Sequence, residues 1–141
     1  MGRRVNEFLE HKGGASAIEF ALVVPIFLTL VFAIIVYGSY FASLGIINQI
    51  ASEAARATVT GLTDAERQSL ATQRATALVT SYGAVLNTAT VVVQAAPTSA
   101  GAFAVTVSQQ FNALGLGNIS AILPMPPTQQ SATVEVARGG Y

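Results

Sequence analysis

Cysteine is absent from this chain, and His11 is its only histidine. The first absence excludes disulfides, thiol catalysis and Cys-based metal sites. The second excludes a His-based catalytic dyad or a multi-His metal site built from one chain. Charge is scarce too: 10% of the 141 residues are charged, against roughly 25% in ordinary soluble domains. The formal net charge is zero, so there is no electrostatic footprint for nucleic acid. The shortage is uneven, because no Asp, Glu, Lys, Arg or His stands between Glu19 and Glu53. With so few carboxylates and no imidazole beyond the N-terminal segment, no nucleophile–base pair is marked. The expectation is a protein that is not an enzyme and carries neither cofactor nor metal.

What fills the charge-free stretch is an apolar run. From Phe20 it reads Ala-Leu-Val-Val-Pro-Ile-Phe-Leu-Thr-Leu-Val-Phe-Ala-Ile-Ile to Val36, and it continues past Tyr37, Tyr40 and Phe41 to Ile50. Crossing ~30 Å of hydrocarbon at 1.5 Å per residue takes about 20 apolar residues, and this run exceeds that. A cleaved secretory signal has a shorter apolar region, about 7–15 residues. A buried core helix of this length would need more surrounding chain than remains. The run is therefore expected to be a single membrane span.

The flanks orient it. Arg3, Arg4 and Lys12 precede the run and only Arg56 follows it closely, which places the N-terminus in the cytoplasm. Tyr37, Tyr40 and Phe41 stand about one membrane thickness from Phe20, where an outer aromatic belt belongs. Pro25 lacks an amide hydrogen and should open the helix bonding at the Ala21 carbonyl, allowing a kink. Gly38 and Ala42 place small residues on one face, which permits close helix approach. Ala51, Ala54, Ala55 and Ala57 favour continuation of the helix as a stem, with Gly61 as the stop. Glu53 and Arg56, three apart, are expected to pair on one face, worth a few tenths of a kcal/mol.

Thr63-Asp64-Ala65-Glu66 is a capping-box pattern. It opens a second helix expected from Asp64 to Ser81 and closed by Gly83. The period then changes to two. Ala89, Val91, Val93 and Ala95 alternate with Thr88, Thr90, Val92 and Gln94, Phe103, Val105 and Val107 with Ala104, Thr106 and Ser108, and later Ala132, Val134 and Val136 with Ser131, Thr133 and Glu135. Pro97 to Gly101 reads as a turn. Three segments with one apolar face each read as a small antiparallel sheet. The fold class is therefore α+β: a long N-terminal transmembrane helix running into a stem, a second helix, and a three-stranded antiparallel sheet. Between the second and third strands, Leu114 to Gln130 is rich in Gly and Pro yet carries Leu116, Ile119, Ile122, Leu123 and Met125. It either covers the sheet or forms a contact surface. Asn118-Ile119-Ser120 matches a glycosylation acceptor, a pattern common by chance, and Leu114-Gly115-Leu116-Gly117 is too short for a nucleotide loop.

The junction Gly13-Gly14-Ala15-Ser16-Ala17-Ile18-Glu19-Phe20 is the most informative stretch. A charged segment meets an apolar helix at glycine, and five residues on lies a carboxylate at the edge of the hydrocarbon. An ionised carboxylate at a span centre costs about 2.5–3.5 kcal/mol and less at the edge. Two accounts stand: Glu19 reaches up to the headgroups, or it meets a positive partner.

Gly14, four small or apolar residues, Glu19-Phe20 and then an apolar helix resemble the processing motif of the Flp/Tad branch of type IV pilins. The stretch from Gly14 through Pro25, closed by Asn48-Gln-Ile-Ala-Ser-Glu-Ala-Ala-Arg56, is similar to the TadE-like proteins, minor pseudopilins of the tight-adherence pilus. The resemblance runs from about Gly14 to Val59. It implies a bacterial pilin-like protein with three parts: residues 1–14 as a cleaved cytoplasmic leader, 15–60 as the transmembrane and stem helix, and 61–141 as a periplasmic α+β module. It implies cutting by a prepilin peptidase after Gly14, where glycine leaves the protease unobstructed. The cut frees the Ala15 α-amine, mostly cationic near neutrality. Glu19 of a neighbouring subunit then pairs with it, setting register more than stability. Glu19, Phe20 and Pro25 are the implied assembly residues. The implied partners are the peptidase, other pilins or pseudopilins and the inner membrane, in the service of type IV pilus assembly and cell adhesion. The alternative is an uncleaved, single-pass scaffold of a secretion system that presents its outer module.

Overall fold

The structure, a computed structural model, describes residues 12–112 and 123–137. Met1 to His11, and Leu114, Leu116, Asn118, Ile119, Ser120 and Ile122 of the apolar Gly- and Pro-rich stretch, lie outside the described residues. Helix α1 runs Lys12–Ala57 and passes into a 3-10 turn at Thr58–Thr60. Helix α2 is Asp64–Ser81, and the strands are β1 Val92–Pro97, β2 Ala102–Gln110 and β3 Gln129–Ala137. The sheet is antiparallel in the order β1-β2-β3. The expected α+β architecture, with one long apolar helix ahead of a second helix and a three-stranded antiparallel sheet, is the one observed.

At 1.5 Å per residue α1 is about 69 Å long, and it has two regimes. Residues 16–35 are exposed or only partly covered all round, with Phe20 at 71% and Ile26 at 74% exposure. From Val36 onward one face is buried: Val36, Ser43, Ile47, Ile50 and Ala54 recur at helical spacing. Against that face lie α2, through Ala71 and Ala75, and the sheet, through Phe103, Val105 and Val107. Alanine at Ala51, Ala54, Ala55, Ala71 and Ala75, all fully buried, lets the two helices approach closely because no longer side chain separates them. The stem of α1 is thus a wall of the core it shares with α2 and the sheet.

The start of α2 is the capping box: Thr63 Oγ1 accepts from the Glu66 amide at 3.2 Å. Glu66 reaches back one residue further than the motif requires and accepts from the Leu62 amide at 3.0 Å. Gly61 is buried where the chain turns, and an added Cβ there would stand 2.6 Å from Arg67 Cγ and 3.0 Å from the Arg67 amide nitrogen. The stop at Gly61 is therefore one of close approach.

Two strand boundaries differ from the alternation. Thr88–Thr90, expected to open the first strand, form a 3-10 turn, and β1 begins at Val92. Continuing the register of Val92 with Ser108 sets Thr90 opposite Gln110. There the Thr90 hydroxyl, not its backbone, accepts from the Gln110 amide at 3.3 Å. A threonine hydroxyl has taken the place of a ladder bond and ended the strand. Pro97, expected in the turn, is the last residue of β1 and pairs with Phe103, which an edge strand tolerates. The turn proper is closed by the Thr98 amide donating to the Ala102 carbonyl at 2.8 Å. Gly101 there adopts φ 77°, a left-handed conformation that glycine holds without a Cβ penalty.

Candidate functional site

The sequence points to the N-terminal end of α1. Gly14 lies within the helix and is exposed, and a Cβ added there would meet nothing within 4 Å. Ala15 is in the same helical turn. The fold therefore places no steric demand for glycine at position 14. In a helix interior Gly is less favourable than Ala by about 1 kcal/mol, so Gly13-Gly14 makes this turn the easiest part of α1 to unwind.

Glu19 and Phe20 are both exposed. The ion pairs among the described residues are Arg67–Asp64 and Arg74–Glu53, and Glu19 takes part in neither. Around it the helix surface is apolar: Ile18, Leu22 and Val23 are all more than half exposed. A carboxylate is thus held on an otherwise apolar surface, free to face a headgroup or a cation on another chain. Pro25 sits inside α1 without ending it, and one turn on the Thr29 hydroxyl donates to the Pro25 carbonyl at 2.8 Å. At Gly38 an added Cβ would meet nothing within 4 Å, and Ala42 is exposed. These positions share one continuous helix whose apolar surface this chain leaves uncovered through most of the span.

Glu53 takes a different partner from the one expected. It pairs with Arg74 of α2 at 3.2 Å, not with Arg56 of its own helix. The reason is position. Glu53 borders the seam that Ala54 and Ala55 bury against α2, and Arg74 crosses that seam while Arg56 lies exposed. The pair stays partly exposed and is worth well under about 1 kcal/mol.

Sequence reasoning missed a buried polar cluster that joins the sheet to the stem. Gln109 on β2 and Gln130 on β3 are opposite each other in register and are 3% and 2% exposed. The Gln109 side-chain amide donates to Gln130 Oε1 at 2.8 Å, which lies 3.0 Å from the Ser43 hydroxyl on α1. The Gln130 amide in turn donates to the Tyr40 carbonyl at 2.9 Å. Gln109 Oε1 is buried without a partner. The signal was present: extending the alternation of Phe103, Val105 and Val107 by two residues puts Gln109 on the core face. A second contact that was missed is the Tyr37 hydroxyl donating to the Pro124 carbonyl at 2.9 Å. Beside it Leu123 packs on Val36, with Met125 and Phe111 against them. For this part of the Leu114–Gln130 stretch, the observed role is contact with α1. Among the described residues no three His, Cys, Asp or Glu gather to hold a metal ion.

One helix among the described residues is long and apolar enough to cross a membrane, and it lies near the N-terminus. The class is that of an α+β protein in which this helix, compatible with a single membrane span, continues unbroken into the core of the module that follows it. Residues 14–56 match the family model of the TadE-like proteins, from the glycine of the junction to Arg56. No curated protein and no solved structure matches the chain.

Proposed function

We propose that this chain is a minor pseudopilin of a Tad/Flp-type pilus. In this reading a prepilin peptidase cuts it after Gly14. It then stands in the bacterial inner membrane with its N-terminus cytoplasmic and its module periplasmic, and it joins other pilins through α1. Its role is structural and not catalytic. One observation carries the reading: within the TadE-like segment, a glycine that the fold does not require stands five residues before an exposed carboxylate on an uncovered apolar helix. A bare glycine suits a protease that must take the backbone extended. The uncovered surface from Ser16 to Ile35 needs lipid before assembly and partner helices after it. Cutting supplies the Ala15 amine that Glu19 of a neighbour then meets, a pair that sets stagger between subunits.

The test is the mass of the membrane-bound protein's N-terminus. A chain beginning at Ala15, lighter by the leader, is expected. An intact leader would return the reading to an uncleaved anchor. The continuity of α1 from Lys12 across Gly14 is the observation in favour of that alternative.

A further inference from the structure

We propose that the near end of the folded module is itself seated in the outer boundary of the phospholipid bilayer that α1 crosses. The contact runs through Pro124, Met125 and Val85 beside the aromatic residues of α1. This inference rests on the reading of α1 as a membrane span.

Depth along α1 provides the first argument. Twenty residues from Glu19, the last charged position before the run, reach Ser39, and at 1.5 Å each they cover about 30 Å, the thickness of the hydrocarbon. The outer boundary therefore falls close to Ser39. Leu123 and Met125 pack with Val36 and Ala33, and Pro124 is bonded to the Tyr37 hydroxyl. All three α1 residues lie on the membrane side of Ser39. The segment reaches down the helix to, and slightly past, the level at which lipid begins. The loop after α2 comes to the same level, because Val85 and Asn87 share a cleft of about 240 Å³ with Ser39 and Phe111.

Charge provides the second, independent argument. From Ala75 to Val134 the sequence contains no Asp, Glu, Lys, Arg or His. Glu53, Asp64, Glu66, Arg67 and Arg74 belong to the far end, where α1 hands over to α2. Glu135, opposite Ala104 on β2, lies near the end of the sheet away from Phe111. The far turn at 98–101 is free of charge as well, so the lack is a condition that the base meets: a face set against lipid cannot carry unpaired charge cheaply. The large exposed side chains there are apolar or aromatic, Val85 at 55% and Phe41 at 63%, and the exposed polar ones beside them, Asn87, Gln110, Asn112 and Thr128, are all uncharged. Tyr37 and Tyr40 beside them are the residue type that sits at the headgroup level. Lipid is favoured over a second protein because, until α1 is taken up into an assembly, the base is fastened to the same helix that spans the membrane.

The chain has no tryptophan, so one introduced indole reports alone. Three variants of the full-length chain are compared: Met125→Trp at the base, Phe27→Trp on the exposed span, and Ser99→Trp in the far turn. Each is reconstituted in phosphatidylcholine–phosphatidylglycerol vesicles with acyl chains brominated near the headgroup or near the chain end. Met125→Trp is expected to lose fluorescence, more to the shallow bromines than to the deep ones, while Ser99→Trp keeps its intensity with both. Val85→Trp, more exposed than Met125, repeats the measurement should Met125→Trp misfold. Quenching of Phe27→Trp with no quenching of either base variant overturns the proposal and leaves the anchor standing. No quenching of Phe27→Trp overturns the anchor reading itself, and this inference with it.

Discussion

Gln130 of β3 donates its side-chain amide to the main-chain carbonyl of Tyr40, in α1, across 2.9 Å. The two residues are ninety apart in sequence and meet inside the module, with Ser43 and Gln109 completing the cluster. The bond ties the sheet to one particular turn of the stem. Sliding α1 by a turn would leave several buried polar groups without partners, at a cost the apolar contacts around them do not impose.

Replacing Gln130 by leucine should therefore destabilise the protein by about 2–4 kcal/mol, since it removes three contacts and strands its neighbours. Gln109→Leu should cost less, because one of the polar atoms it removes, Oε1, is already buried without a partner. Denaturant unfolding of the purified full chain in micelles measures both. Equal losses would mean that the cluster is not organised around Gln130.

The stem's ion pair can be separated by a double-mutant cycle. Glu53→Gln and Arg74→Ala should couple, by no more than about 0.5–1 kcal/mol at this exposure. Glu53→Gln and Arg56→Ala should be additive. A larger coupling to Arg56 than to Arg74 would show that the helix-internal pair dominates in solution.

Gly61→Ala is expected to destabilise by about 1–3 kcal/mol, as overpacking does. The new methyl would press on the Arg67 backbone as well as its side chain, and Arg67 is held there by its Nε donating to the Gly61 carbonyl at 2.9 Å. Gly38→Ala, where the added Cβ meets nothing, is the control and should melt no lower than the parent. A neutral Gly61→Ala would show that the turn relaxes freely.

Processing and assembly should fail separately. Gly14→Leu should leave a full-length, uncut chain, although nothing in the fold objects to the larger side chain. Glu19→Gln keeps the shape and removes the charge, so the chain should be cut and yet not co-purify with partner pilins. Gel mobility reads the first and co-purification the second. Normal piliation in fully processed Glu19→Gln would leave the charge pair without support, since simple reach to the headgroups gains from neutralisation.

Residues 61–141 expressed alone should show no cooperative melting transition. Ile47, Ile50, Ala51, Ala54 and Ala55 of α1 form one side of the core, and a fragment of about eighty residues without disulfides has little to replace them. Residues 41–141, which restore the stem, should melt cooperatively by circular dichroism. A sharp transition for the shorter fragment would falsify the view of α1 as a structural wall.

Much of the architecture was legible because its signals are local. The apolar run declares by length alone a helix long and apolar enough to cross a membrane. Thr63 and Glu66 announce the start of α2 through a bond between neighbours in sequence. The alternation around Val105 and Val134 reveals two strands because side chains in a strand alternate sides regardless of partner. The limit of such signals shows at Thr88 to Thr90, where alternation continues and the strand does not, because a hydroxyl bonds the opposite strand in place of the backbone. The candidate site divides the same way. The junction from Gly14 to Phe20 is a candidate that one short stretch of sequence can propose, whereas the contacts of Leu123, Pro124 and Gln130 with α1 join distant segments and were not visible.

The amino-acid sequence by itself determined that one long apolar helix leads, and that among the described residues a second α-helix and a three-stranded antiparallel sheet follow it. Each follows from hydration, backbone preference or charge within a few residues. Only the tertiary structure decided that Glu53 faces Arg74, that Gln109 and Gln130 lie in the core, that the stem belongs to the module, and at what depth the segment around Met125 meets α1. Those outcomes depend on how separated segments register against one another in space. That registry is set by the packing of the whole chain, which no local pattern encodes.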